Sequence, residues 1–467
     1  YVIEDLQING GGSDCILIEN SNVFFNIENC TVAHSWGFRV AGISLSNVNN
    51  SLIIANNCSS STSGIVLSRC YNNTISGNTV NDNNEGIVLI SSDNNTISGN
   101  FANYELLDGI TLYHSNHSII TGNSANNNDN GIQIIDCNSN TILGNIANNN
   151  TWKGIYIEEG ANHTISGNIM DKCGLVLGGF NIEEWGSLKI DTTNLVNGKP
   201  FVYYKSEIGL GQNNFSNAGQ VILVNCNNSI ISNLNTSYCN LGIWLLFCNN
   251  NTISGNTASN SNSGIILSYS NYNTILSNTA NDNRIYGILL IDSDYNNITG
   301  NTVNNNDYGI CLSYSDNNTI SGNIVDSNGW IGIRMDECNN NSILRNNVSN
   351  NYDDGISLSR SDYNTISGNI VNNSFKGIDL YYSDYNVVLE NTACNNDYGI
   401  FLLYSNYNTI LGNILFNNHD DIREQFCEGN NFGNHEIPGY ILFFLIGMSS
   451  VLSIILIKKI RKNNTIS

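Results

Sequence analysis

Apolar residues recur along this chain with a period of twenty-two to twenty-three residues, and within each period they alternate rather than follow a helical spacing. The unit reads Gly-Ile-x-Leu, an Asn-rich turn, then Thr-Ile-Ser-Gly-Asn. Its Gly falls at Gly42, Gly64, Gly86, Gly109, Gly131 and Gly154, and again at Gly242, Gly264, Gly287, Gly309, Gly332, Gly355, Gly377 and Gly399. With Gly as position zero, position one is Ile65, Ile87, Ile110 or Ile132, and position three is Leu67, Leu89, Leu112 or Ile134. The residue between them varies, which is the period-two signature of a strand with one buried face. Position eleven is Ile75, Ile97, Ile120 and Ile142, and position sixteen is Val80, Ala102, Ala125 and Ala147. Each copy therefore predicts three short inward-facing strands.

A short repeat of this kind buries its apolar face only against its neighbours. The expected fold is all-β, a parallel β-helix of roughly sixteen or seventeen rungs stacked at about 4.8 Å. Position fourteen is Asn in nearly every copy, including Asn56, Asn78, Asn100, Asn123, Asn256, Asn346 and Asn413. An amide above an amide both donates and accepts along the axis, so this column predicts an asparagine ladder at a tight turn. Function has to be written on the variable outward positions.

Residues 178–219 break the repeat. Two strand-like runs flank Asn197-Gly198, a hairpin signal. The segment either projects as a binding flap or repairs a seam between two arrays by forming two irregular rungs. The expected organisation is an N-terminal array over 1–177, this insertion, a second array over 220–418, a cap or linker over 419–436, a membrane-spanning helix over 437–458 and a basic tail over 459–467. The helix assignment rests on the apolar run Ile441 to Ile457, followed at once by Lys458, Lys459, Arg461 and Lys462. The basic flank puts the tail in the cytoplasm and the repeats outside, at the cell surface. Pro438-Gly439-Tyr440 at the entry to this run resembles the C-terminal sorting signals of archaeal surface proteins. That resemblance implies processing by a membrane protease. The chain begins at Tyr1 and shows no signal peptide, so the export signal is expected upstream. Asn-x-Ser/Thr triplets such as Asn72-Asn73-Thr74 offer glycan acceptors outside the cell.

The net charge of −22 with only 17 Lys and Arg argues against a nucleic-acid partner. The 13 cysteines show no short paired spacing. Cys70, Cys137, Cys226, Cys248 and Cys338 share position six and are expected as apolar filler or a partial sulfur stack.

Equivalent positions stack, so chemistry is sought in columns. Position five carries His114, Asp136 and Glu159 on successive rungs, with His117 and His163 close in sequence. Imidazoles and carboxylates in one column are candidate ligands for a metal such as Cu, or a candidate acid and base. Position seven pairs Asp294 with Asp316 and Asp362 with Asp384; these carboxylates either bind Ca or cap turns. Position eight carries Tyr272, Tyr295, Tyr363, Tyr385 and Tyr407, and position five adds Tyr269, Tyr314, Tyr382 and Tyr404. Lines of tyrosine on a polar surface either stack on sugars or cover a turn and stack on each other.

At these residues the chain resembles the NosD-type β-helix family, whose units are also called carbohydrate-binding and sugar-hydrolysis repeats. The stretches Gly86 to Asn100 and Gly309 to Asn323 carry the likeness, which extends over about Cys15 to Asn418. The resemblance implies a right-handed helix outside the cytoplasm, a link to polysaccharide and copper handling. Polysaccharide lyases and hydrolases on this fold share a compact patch of Asp with Arg or Lys on neighbouring rungs. Arg334 and Asp336, near Asp353, Asp354 and Arg360, come closest to it here. The leading expectation is a non-enzymatic surface protein that binds extracellular glycans, adheres or builds the envelope. The alternatives are a polysaccharide lyase, hydrolase or epimerase, and a metal-handling accessory protein.

Overall fold

The computed structural model describes residues 1–433 apart from positions 39 and 180. The chain is a right-handed parallel β-solenoid of about 20 turns, with one short α-helix among the described residues, over Ile182–Ser187. It divides into two compact units, residues 1–307 and 308 onward.

A typical turn shows how the repeat becomes structure. Glu85–Ile90 forms a six-residue strand, Thr96–Ser98 a second strand and Phe101–Asn103 a third. Each pairs in parallel with its equivalent on the next turn. Ile87 lies opposite Ile110, Ile97 opposite Ile120, and Val80 of the preceding turn opposite Ala102. All of these side chains are fully buried. Full burial of each aliphatic side chain contributes about 1.5–3 kcal/mol, and only the neighbouring turns supply the cover. The position-zero Gly is required by close approach. A Cβ on Gly86 would sit 2.3 Å from the carbonyl oxygen of Gly109.

The expected asparagine ladder is present. Asn56, Asn78, Asn100, Asn123, Asn145 and Asn168 each donate a side-chain amide to the next member, at 2.9–3.0 Å for the first five, and Asn168 continues it to Asn194. In the second unit Asn323, Asn346, Asn369 and Asn391 do the same, the last of them donating to Asn413. Two further inward polar columns run beside it. Position nine holds Asn73, Asn95, Ser118, Asn140 and His163, and position nineteen holds Asn83, Glu105, Asn128 and Asn150. Each side chain accepts a backbone N–H from the turn before, so the tight corners leave few buried donors unpaired.

Position six is a fourth such column: its cysteines are free and buried, as filler or a partial sulfur stack would be, and they also accept hydrogen bonds along the axis. Cys226 N donates to Cys248 Sγ at 3.2 Å, and Cys248 N donates to Ser270 Oγ at 2.9 Å. Ser115 N donates to Cys137 Sγ, and Cys70 N to Ser92 Oγ. Thiol and hydroxyl share this column because either one accepts the N–H.

The insertion is a seam and not a flap. Asn197-Gly198 does turn an antiparallel hairpin, with Val196 opposite Lys199. The second arm then joins the solenoid, with Val202 opposite Val221 in parallel. Trp185, Phe201 and Phe215 are buried. Tyr203 Oη and Lys205 Nζ donate to carbonyls at the C-terminal end of the short helix, where a cation meets the dipole favourably. At the seam Gln220 substitutes its side-chain amide for a strand peptide. Its Oε1 accepts from Leu175 N at 3.1 Å and its Nε2 donates to Leu175 O at 2.8 Å.

One boundary moves. The array continues past 418, because Asp420–Gln425 pairs with Tyr398–Leu403 and Asn431–Phe432 pairs with Thr409–Ile410. Irregular turns at both ends and in the seam lack the repeat glycine, which is why the turns exceed the sixteen or seventeen expected. Among the described residues no helix is long and apolar enough to cross a membrane. The expected span over 437–458, Pro438-Gly439-Tyr440 and the basic tail lie outside the described residues.

Candidate functional site

The outward chemistry is organised by the corners. Positions five and eight adopt left-handed backbone, and all nine candidate tyrosines do so, from φ 47° at Tyr382 to φ 59° at Tyr272. For a bulky L-residue this conformation costs about 1–2 kcal/mol. At other turns position eight holds Asn or Ser, as at Asn94, Asn250 and Ser139, while position five also holds Arg69, His114, Glu159 and Phe247 in the same backbone conformation. The rings stack along the axis. Tyr272 lies on Tyr295, Tyr363 on Tyr385, Tyr385 on Tyr407 and Tyr382 on Tyr404, with centroids 4.8–5.2 Å apart and planes within 4–11°. Tyr269 stacks on Phe247, and Tyr404 also meets Phe426. Tyr314 is exposed, as are Tyr382 and Tyr404 of its column, while Tyr269 is half-buried. Each pair returns about 0.5–1.5 kcal/mol, so the stacks roughly offset the backbone cost. Neighbouring rings cover one another's faces. What the columns offer outward is a comb of ring edges and phenol hydroxyls, and a sugar meets a ring face only at the end of a stack.

The aspartates at position seven cap turns. Asp316 Oδ1 accepts from Asn339 N, Asp362 Oδ1 from Asp384 N and Asp384 Oδ1 from Asn406 N, at 2.6–2.7 Å. Asn249 fills the same role with its amide oxygen. Asp294 donates its own N–H to Asn271 in this column.

The histidine group does not assemble. His114 Nδ1 lies 3.7 Å from Asp136 Oδ2, and Glu159 hydrogen-bonds Asp136, which raises the Glu159 carboxyl above its usual range. His163 instead points into the core as a ladder member, its Nδ1 accepting from Asn140 N at 3.1 Å. Burial lowers its pKa to about 4. His117 occupies an exposed position-eight corner, away from the position-five column. Among the described residues no group of three or more His, Cys, Asp or Glu is arranged to hold a metal ion.

The densest polar constellation lies on the outward face of the six-residue strands in the second unit. Register sets Arg334 opposite Ser357, Ser357 opposite Asp379, and Asp354 opposite Lys376. Lys376 Nζ stands 3.1 Å from Asp379 Oδ2 and 3.6 Å from Asp354 Oδ1. On the adjoining strand Arg334 pairs with Asp336 at 3.5 Å, and Arg360 reaches Asp336 and Glu337 at 3.9 and 3.8 Å. Asp354 is 3% exposed and Asp379 5%. Burial, then the charge of Asp379, pushes the Asp354 carboxyl up to about 8. Burial also raises Asp379, against the pull of Lys376 and a hydrogen bond with Asp354. Tyr381 continues this face to the position-five column, where its ring meets Tyr382 edge-on at 4.5 Å. Of this group, sequence reading had picked out Arg334, Asp336, Asp354 and Arg360 but missed Lys376 and Asp379. Their signal is the column: Lys376 takes position minus one and Asp379 position two, both outward on the long strand.

Residues 190–354 and 303–442 match the family model described as "Periplasmic copper-binding protein (NosD)", together more than half of the chain. The chain belongs to the NosD family. Residues 1–105 and 41–195 match a "Right handed beta helix region". No curated protein matches the chain. Among solved structures, the periplasmic alginate epimerase AlgG is 14% identical over 83% of this chain and 77% of its own, with a TM-score of 0.38. The A-module of the mannuronan C-5 epimerase AlgE4 of Azotobacter vinelandii is 12% identical over 93% and 91%, with a TM-score of 0.21. The catalytic domain of a GH87 α-1,3-glucanase in complex with nigerose is 14% identical over 79% and 64%, with a TM-score of 0.25. None of these likenesses is high enough to carry an activity over to this chain.

The family description implies copper, and the donors among the described residues of this NosD protein do not fit it. Copper favours imidazole, thiolate or thioether ligands. The chain has three Met and six His. One histidine is spent in the core ladder. All cysteines but Cys15 and Cys427 are buried, and those at position six are engaged as backbone partners.

Proposed function

We propose that this NosD-type protein works outside the cytoplasm as a glycan-binding β-helix, with the tyrosine corners as its contact surface. The observation that carries this reading is the placement of nine tyrosines in left-handed backbone, where Asn, Ser or Gly would fold with less strain. The stacks only offset that strain, so the fold has no need of them. A comb of phenol hydroxyls repeating once per turn has a spacing close to one pyranose along an extended chain. A polysaccharide lying along the axis would then meet one hydroxyl per sugar, each able to donate and accept. The description of the family as periplasmic supports the compartment. In this reading the apolar run Ile441 to Ile457 and the lysines after it tether the repeats at the membrane.

The test is electrophoretic retention of the protein in gels containing polysaccharide, scored across neutral and acidic polymers. Replacing Tyr363, Tyr385 and Tyr407 together by Ser keeps a residue that the corner tolerates. Retention should fall at least about tenfold, from loss of three hydroxyl-and-edge contacts of roughly 0.5 kcal/mol or more each. Unchanged retention would remove the tyrosine comb as the contact surface.

A further inference from the structure

The seam gathers cations that no carboxylate neutralises. Residues 1–152 carry twelve Asp or Glu and two Lys or Arg, whereas residues 153–284 carry eight and six. Two of those six satisfy backbone carbonyls of the seam. Lys205 Nζ donates to Gly186 O and Leu188 O, and Lys199 Nζ donates to Asn235 O. Lys172 and Arg284 do neither. Among the described residues neither side chain donates a hydrogen bond to the protein, and neither has a carboxylate at ion-pair distance.

Both line one cleft of ≈ 390 Å³. That volume falls in the range of about 300–1,000 Å³ usual for small-ligand sites. Tyr238, Asn260, Asn262 and Asp282 line it with them. Lys172 belongs to the array before the insertion and Arg284 to the array after it, so the cleft exists only because the seam joins their corners. Asn197 makes that join. Its Oδ1 accepts from Lys172 N at 2.8 Å and its Nδ2 donates to Tyr238 O at 2.9 Å. Gly174 N donates to Asn240 Oδ1 at 2.6 Å beside it. Trp152 O accepts from the amides of Asn240 and Asn262, which fixes the Trp152 ring at the border of the cleft. Arg284 lies over that ring, 4.4 Å from its centroid. A guanidinium stacked in this way keeps its N–H fork free at the edge, the geometry that receives an oxyanion.

Lys172 stands in left-handed backbone at φ 56°, where Asn127, Asn149 and Asn260 occupy the same corner of other turns. A lysine there strains the corner and returns no contact to the fold. Asp282 is the single carboxylate among the lining residues, and its Oδ1 accepts from Asn305 Nδ2 at 3.1 Å. We infer that the seam cleft binds the oxyanion of an acidic sugar. Arg284 and Lys172 take the charged group, and Asn260 and Tyr238 supply neutral donors and acceptors for the ring hydroxyls. The charged group is a carboxylate or a sulfate ester, which present the same pair of oxygens. Tyr238 and Lys172 stand at position eighteen, a corner separate from the tyrosine comb at positions five and eight. That a sugar carries the anion rests on the glycan reading; the cation pair does not.

Isothermal titration calorimetry of the whole protein with a galacturonate trimer, a sulfated trisaccharide and a neutral glucose trimer tests the site. A charged trimer should bind at low salt, and the neutral one about tenfold or more weakly. Whichever charged trimer binds identifies the anion. Lys172→Asn installs the residue of the equivalent corners, and Arg284→Gln keeps a long polar side chain. Each should weaken the charged trimer about tenfold or more. No binding of either charged trimer, equal binding of the neutral one, or affinity within about twofold of wild type in both variants overturns the site. Gel retention of polymer scores the tyrosine comb and the trimers score the cleft, so either reading can fail alone. The Tyr363, Tyr385 and Tyr407 triple variant is titrated alongside. If it loses the trimer and the cleft variants keep it, the sugar sits on the comb and the cleft assignment falls. If one cleft variant fails to fold, judged by its far-ultraviolet spectrum, the other decides.

Discussion

Asn100 Oδ1 accepts two hydrogen bonds from Asn78, one from its backbone N–H and one from its side-chain amide, both at 2.9 Å. Asn100 in turn donates to Ile75 O and to Asn123 Oδ1. One buried residue therefore satisfies groups on the turns before and after it. Asn100→Leu preserves size and removes both roles, taking the Asn100 acceptor from two donors of Asn78 and a side-chain donor from Ile75 O and Asn123 Oδ1, the latter keeping only the backbone N–H of residue 100. The expected loss is about 2–5 kcal/mol by chemical denaturation, with amide exchange accelerated at Asn78 first. A loss under 1 kcal/mol would mean that the ladder is ornamental.

Glu105 occupies a ladder place that is Asn on neighbouring turns, and burial pushes it up to about 8 although Asn83 donates to it. A carboxyl raised in the folded state favours folding at low pH. Its contribution is whole below the ordinary value of 4.5 and is lost as pH rises through about 8. Glu105→Gln keeps the shape and the acceptor. The variant should match wild type in acid and exceed it above pH 8 by a few kcal/mol, at most about 5 from the size of the shift. Thermal unfolding of both proteins across the pH range reads this directly.

His163 gives the opposite slope from the equivalent trick. It fills an Asn place, accepts from Asn140 N, leaves Nε2 without a partner, and is lowered by burial to about 4. The folded state holds it neutral, so its contribution is present above 6.5 and lost as pH falls through about 4. His163→Asn should remove the acid-side loss and leave stability above pH 7 unchanged or higher. An unaltered acid limb would place the acid sensitivity elsewhere.

The strict columns were legible and the mixed ones were not. Gly86, Ile87, Leu89, Ile97 and Asn100 recur as one residue type or a close aliphatic relative per place, because a solenoid core tolerates little other volume there. The columns of Cys248 and Ser270, of Asn140 and His163, and of Asn83 and Glu105 mix residue types, and a search by identity passes over them. Their common property is an oxygen, nitrogen or sulfur acceptor aimed at a backbone N–H one turn back. Asn194 and Gln220 keep the ladder and the sheet alive through the seam in places where the repeat glycine is missing. The tyrosine columns were visible, but their left-handed backbone and mutual stacking were not, since both follow from corner geometry. Lys376 and Asp379 were missed because an isolated charge on a strand reads as solvated, and only register shows Asp354 beside Lys376.

Cys248 separates a hydrogen-bonding column from simple filling of space. Its Sγ accepts from Cys226 N at 3.2 Å and donates to Leu246 O or Leu223 O, at 3.2 and 3.4 Å. Ser270, one turn on, performs the same acceptor role with Oγ. Cys248→Ser should therefore cost less than about 1 kcal/mol, because the hydroxyl reproduces both bonds in less volume. Cys248→Val fills the space as well as the thiol does but offers no acceptor, and should cost about 2 kcal/mol by leaving the Cys226 N–H buried and unpaired. Paired denaturation curves decide between the two roles. If Val is tolerated better than Ser, the sulfur is there for its bulk, and the alternation of Cys and Ser along this column needs another cause.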